Sequence, residues 1–134
     1  MLPASTKGGG QAFAFPDVCK TPSPGTPVPI PYPNVGLLMQ TARESTKVKL
    51  SNFGAVTKAS EIPRSSGDEP GTLGGVVSNV NMNKVTFKRG SSKVKVEGQP
   101  LQHLGAVTGH NGVNANHPMG AQVAPSQAKV LIAI

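Results

Sequence analysis

The chain has 134 residues, the size of one domain, and its composition is unusual for a globular protein. It contains 16 glycines and 13 prolines, and its 37% hydrophobic and 4% aromatic residues exclude a large aromatic core. So thin a core needs a further staple, and a structural metal is one such staple, whereas a single cysteine excludes an internal disulfide. No segment reaches the roughly 20 apolar residues of a membrane span, and residues 1–10 lack the apolar core of a signal peptide, so we expect synthesis in the cytoplasm.

The net charge of +7, from 13 basic and 6 acidic residues, indicates an anionic partner. A small basic nucleic-acid-binding module stabilised by zinc is therefore one hypothesis. The distribution of charge weakens it, because most lysines alternate with apolar residues, as on the solvated face of a half-buried strand. No aromatic residues interleave with them for base stacking, so specific nucleic-acid binding is not expected.

In chain order, residues 1–12 are predicted to be a flexible lead-in, because Gly8, Gly9 and Gly10 are consecutive. A single domain is predicted over 13–134. Seven prolines lie in residues 15–33, which excludes a helix and predicts an extended arm. Residues 36–44 are predicted to form one or two helical turns.

Short strands and turns are predicted for the rest of the chain, in a mainly β fold. Residues 84–88 and 93–97 are predicted to pair as a hairpin through a turn at 89–92. The sequence STKVKL at 45–50 matches SSKVKV at 91–96 position by position. This internal match predicts repeated strand-and-loop units packed about an axis.

The residues with metal-binding chemistry are Cys19, His103, His110 and His117. Three histidines and one cysteine make a complete tetrahedral zinc set. Their spacing matches no zinc-finger pattern, so scattered histidines with an inert buried cysteine are the alternative. A catalytic role for Cys19 beside Asp17 is disfavoured, because four protein ligands leave zinc no open position and a ligating thiolate cannot also be a nucleophile. The chain is predicted not to be an enzyme.

Five sequence segments resemble those of the PAAR-like (Tox-PAAR-like) family: FPDVCKTP, PVPIPYPN, SSGDEPGTLGGVVS, KVKVEGQP and GHNG. The similarity runs over residues 15–120. Members are spike-tip proteins of type VI secretion and related contractile injection systems. The resemblance implies a small cone with pseudo-threefold repeats. One such cone caps and sharpens one trimeric β-helical spike of the valine-glycine repeat type.

The resemblance also implies one structural zinc ion near the apex, held by Cys19, His103, His110 and His117. Zinc is favoured over iron because a thiolate takes part. No literal Pro-Ala-Ala-Arg word is present, and no toxin domain is expected after the matched region, so an effector would be a separate protein. Export is expected through the injection machine, without a signal peptide. The third repeat is expected from the proline-rich arm or from residues 130–134.

Overall fold

The computed structural model describes residues 1–133 of the chain, and in them β-strands predominate. The predicted mainly β fold is confirmed. None of the described residues belongs to a helix long and apolar enough to cross a membrane. The strands are β1 Leu2–Pro3, β2 Gln11–Thr21, β3 Val28–Leu37, β4 Lys49–Leu50, β5 Phe53–Gly54, β6 Glu61–Ile62, β7 Val85–Phe87, β8 Lys95–Val96, β9 Gln99–Pro100, β10 Val107–His110, β11 His117–Ala124 and β12 Leu131–Ile132.

The largest sheet has six antiparallel strands in the order β3-β2-β11-β10-β7-β6. Its longest pairing joins β2 to β3, so the predicted proline-rich arm is a long hairpin. Pro29, Pro31 and Pro33 occupy alternate positions of β3, which is an edge strand of this sheet. Alternation puts their missing N–H groups on one side of the strand, and the other side stays free to pair with β2.

The segment predicted to be helical is shorter than expected. Only Leu38–Gln40 forms a helix, of the 3₁₀ type, directly after β3. The turn ends at Thr41, whose backbone N–H and hydroxyl both donate to the carbonyl of Leu38, at 3.0 and 2.6 Å. Because Leu38 is fully buried among side chains of the large sheet, packing of this one residue fixes the turn.

The hairpin predicted over residues 84–97 is wrong in its pairing. Strand β7 pairs with β6 and β10, whereas β8 pairs with β9. Val85 and Phe87 share a buried face and pack in the core of the large sheet. The β8–β9 hairpin instead turns through Glu97 and Gly98, whose φ angles of 51° and 80° suit a tight two-residue turn.

Three small sheets, β4–β5, β8–β9 and β12–β1, share one hydrogen-bond pattern. In each, an alanine or leucine amide after the second strand donates to a valine carbonyl before the first. These bonds are Ala55 to Val48 at 3.1 Å, Leu101 to Val94 at 3.0 Å and Ala4 to Val130 at 3.0 Å. We call the three hairpins with their flanking residues unit 1 (45–58), unit 2 (91–104) and unit 3 (127–132 with 2–7).

Backbone hydrogen bonds join the three units into a closed ring. The amide of Ser5 donates to the carbonyl of Gln102 at 2.9 Å, and the amide of Gln102 donates to the carbonyl of Val56 at 2.8 Å. The amide of Val56 then donates to the carbonyl of Ser5 at 3.0 Å. Each unit therefore holds the next one in place.

The ring encloses a second hydrophobic core, to which each unit contributes three equivalent side chains. Ala4 of unit 3 is fully buried in this core, and its neighbours Ser5 and Thr6 are also fully buried, so part of the predicted flexible lead-in is packed. The reason is the pairing of β1 with β12, which lies more than a hundred residues away in the sequence. The nine side chains are Val48, Leu50, Ala55, Val94, Val96, Leu101, Val130, Ile132 and Ala4.

Candidate functional site

Strand β2 carries Asp17 and Cys19 into the protein interior. At the start of the strand every second side chain is buried, as Ala12 and Ala14 are. A β-bulge then follows between Ala14 and Asp17. The bulge shifts the alternation by one residue. Asp17 and Cys19 consequently point to the same side, and both are fully buried.

Asp68 reaches the same point from the loop after β6. The thiol of Cys19 lies 3.6 Å from Asp17 Oδ1 and 3.6 Å from Asp68 Oδ2, and all three side chains are fully buried. The backbone N–H of Met82 donates to both carboxylate oxygens of Asp68, at 3.2 and 3.3 Å. One ligand atom from each of the three residues lies within 4.8 Å of the others, so this buried group could hold a metal ion.

Asparagine side chains surround the carboxylate of Asp17. Asn111 and Asn116 both donate to Oδ1, the former at 3.2 Å, and Asn34 donates to Oδ2 at 3.2 Å. Asn111 also lies 3.6 Å from the sulfur of Cys19. These amide donors fix the orientation of the Asp17 carboxylate, whose Oδ1 faces the thiol of Cys19.

The electrostatics of this buried site favour the protonated forms of Cys19 and Asp68. Burial, and then the carboxylates of Asp17 and Asp68, raise the pKa of the Cys19 thiol far above its usual range. Burial, together with the neighbouring Asp17, raises the pKa of Asp68 to about 7. A bound cation would oppose both shifts, because positive charge stabilises a thiolate and a carboxylate.

His110 lies one hydrogen bond away from this group. Its Nδ1 is 2.7 Å from Asn34 Oδ1, and its Nε2 is 2.7 Å from the hydroxyl of Thr108. Asn34 uses its NH₂ to donate to Asp17, so its oxygen must accept from Nδ1, and Nε2 then accepts from Thr108. Burial lowers the pKa of His110 to about 4, helped by nearby His117 and opposed by Asp17, so the ring is neutral.

The structure separates the predicted ligands into different places. His110 and His117 are paired across β10 and β11, and His117 is half-buried. His103 pairs instead with Ala4 in the ring of units, and its Nδ1 lies 2.8 Å from the carbonyl of Leu104. Within residues 1–133 no cluster of three ligand residues includes a histidine. The set Cys19, His103, His110 and His117 stays a prediction.

Sequence reasoning missed Asp17 and Asp68 as companions of Cys19. The spacing of Asp17 and Cys19 could have revealed this neighbour, because residues two apart on a strand share a face. Asp68 accepts the backbone N–H of Met82, which lies 14 positions further along the chain. Its approach to Cys19 spans 49 positions and left no local signal.

Comparison with known proteins places this arrangement in context. Residues 10–117 match the family model described as Toxin PAAR-like domain. The DNase toxin Tse7 of Pseudomonas aeruginosa is 38% identical over 125 residues, which cover 87% of this chain and 32% of the toxin. The chain thus spans about a third of the length of that relative. No solved structure matches the chain.

Proposed function

The chain belongs to the Toxin PAAR-like domain family, and from that membership we propose that it caps and sharpens a spike. The spike is the trimeric β-helix, of the valine-glycine repeat type, in a type VI secretion system or a related contractile injection machine. One chain binds the blunt end of one trimer.

The observation that carries this proposal is the ring of three units. Strands β4, β8 and β12 each have one partner strand among the described residues, so each unit offers an edge for further pairing. A trimeric β-helix ends in three identical strand edges, and a single chain can meet all three only with three similar surfaces. Pseudo-threefold repetition of the units supplies them in this proposal.

A structural zinc ion at Cys19 is the second part of the proposal. It would staple the β2–β3 arm near the apex of a cone, with no open position for a substrate. Asp17 and Asp68 are supported as its companions by their distances, whereas His103, His110 and His117 are supported by the family resemblance. A thiolate ligand favours zinc over iron.

Transport is the biological role that we assign. The cap would be made in the cytoplasm and leave with the spike, carrying an effector that is attached or bound. Tse7 is named as a DNase toxin, and this chain aligns with 32% of it. We assign the PAAR-like domain a structural role and no catalytic step.

Binding to trimers of two lengths tests the proposal. The purified chain is mixed with a trimeric valine-glycine repeat spike from the organism that encodes it, and the complex is followed by size-exclusion chromatography. A matched trimer that lacks its terminal β-helical strands serves as the control. We expect binding to the intact trimer and none to the truncated one. Failure to bind the intact trimer, or equal binding to both, contradicts the cap.

A further inference from the structure

Each of the three units carries a lysine at the same position. Lys47, Lys93 and Lys129 directly precede Val48, Val94 and Val130, which are equivalent members of the second core. All three lysines are exposed. The strands that follow them, β4, β8 and β12, each have one partner strand among the described residues.

The turn that holds each lysine is built differently in unit 3, yet the lysine is the same. In units 1 and 2 a serine hydroxyl, from Ser45 or Ser91, accepts the N–H of the following valine at 3.0 Å. In unit 3 the side chain of Gln127 accepts the N–H of Val130 at 2.7 Å. The requirements of the turn therefore do not explain why all three units use lysine at this position.

No partner within the chain explains these lysines either. The ion pairs among residues 1–133 involve Lys7, Arg43 and Lys84, and none includes the three lysines. Exposed Lys49 and Lys95 add positive charge at equivalent positions of units 1 and 2, where unit 3 has Leu131. The ring of units thus presents positive charge that its own acidic residues do not neutralise.

We propose that Lys47, Lys93 and Lys129 bind acidic side chains, one from each subunit, at the blunt end of the homotrimeric spike. This inference rests on the proposed cap function and adds the chemistry of the contact. A homotrimer repeats each residue three times about its axis, so it can offer three equivalent carboxylates to three equivalent lysines. Such complementary charges speed association and fix the register of the two surfaces.

Charge reversal at the three positions tests the inference. The triple variant Lys47→Glu, Lys93→Glu and Lys129→Glu is compared with a control that reverses Lys20, Arg64 and Lys88, which lie outside the units. Both variants carry the same lowered net charge. We expect the first triple to bind the spike trimer at least about 30-fold more weakly than the unmodified chain, mostly through slower association, and the control to stay within about threefold. Raised salt should weaken binding of the unmodified chain to the spike trimer, so that its affinity approaches that of the first triple variant.

A third variant and the unmodified chain separate the outcomes. Changing the same three lysines to Gln removes charge without repulsion and should weaken binding by a smaller factor, while circular dichroism checks that all variants fold. If the unmodified chain does not bind the trimer, the proposed cap function is refuted. If it binds and the first triple binds equally well, or if both triples weaken equally, the cap stands and the lysine contacts are refuted.

Discussion

At the scale of single residues, Asn34 connects the candidate metal group to His110. It donates to Asp17 at 3.2 Å and accepts from His110 at 2.7 Å. Groups that hydrogen-bond to a metal ligand orient it and tune its affinity. Through Asn34, His110 is therefore linked to the position of Asp17.

Metal content should distinguish the two ligand sets at Cys19. We expect about one zinc per undenatured chain by elemental analysis, lost in Cys19→Ser under either set. Loss in Asp68→Asn with retention in His103→Ala supports the acidic set, and the reverse result supports the predicted histidine set. A native chain without stoichiometric metal would contradict both.

The hydrogen bond between Thr108 and His110 should contribute measurably to stability. Both side chains are fully buried, so Thr108→Val keeps the shape of the side chain but leaves Nε2 of His110 without a donor. We expect the free energy of unfolding in urea to fall by about 1–3 kcal/mol. Thr108→Ser keeps the hydroxyl and is the control. Equal stability of the two variants would show that this bond does not stabilise the fold.

At the scale of elements, the sequence predicts what is local and misses partners that are distant. The repeat at 45–50 and 91–96 predicted two units, and both end in hairpins of the same register. Unit 3 shares little more than Lys129 and Val130 with that repeat, and its two strands lie at opposite ends of the described chain. Residues 84–88 were paired with the wrong strand, because alternation identifies the buried face but not the neighbouring strand.

Gln127 should be the residue that secures unit 3. Its NH₂ donates to the carbonyls of Ala4 and Val130 at 2.9 Å each, and its oxygen accepts the amides of Lys129 and Val130 at 2.7 Å each. We expect Gln127→Ala to lower the free energy of unfolding by about 1–3 kcal/mol.

Hydrogen exchange localises that effect. The amide of Ala4, which bonds the carbonyl of Val130, should exchange faster in Gln127→Ala. Gln40→Ala, which changes an exposed glutamine in the 3₁₀ turn, should alter neither quantity. Unchanged exchange at Ala4 would mean that the other contacts of unit 3 suffice.

At the scale of the whole molecule, positive charge is concentrated on the ring of units. Seven of the 13 basic residues lie in units 1 to 3, whereas Glu97 is their one acidic residue. Nucleic acid is the other polyanion that such a surface could meet, and it makes a different prediction. Binding through phosphate contacts weakens steeply with salt and is blind to sequence.

We expect no tight binding of DNA and no DNA cleavage by this chain. Fluorescence anisotropy with a short labelled duplex or single strand should show only weak attraction at low salt, lost near about 0.15 M salt. A plasmid incubated with the chain and Mg²⁺ should stay intact. Submicromolar affinity near physiological salt would favour the nucleic-acid-binding module over the cap.

The stoichiometry of the complex with the spike tests the central claim most directly, because the proposed cap would meet a threefold trimer with one chain. Native mass spectrometry of the mixture should show the mass of the trimer plus one chain of 13.7 kDa. Three chains per trimer, or none, would contradict the cap.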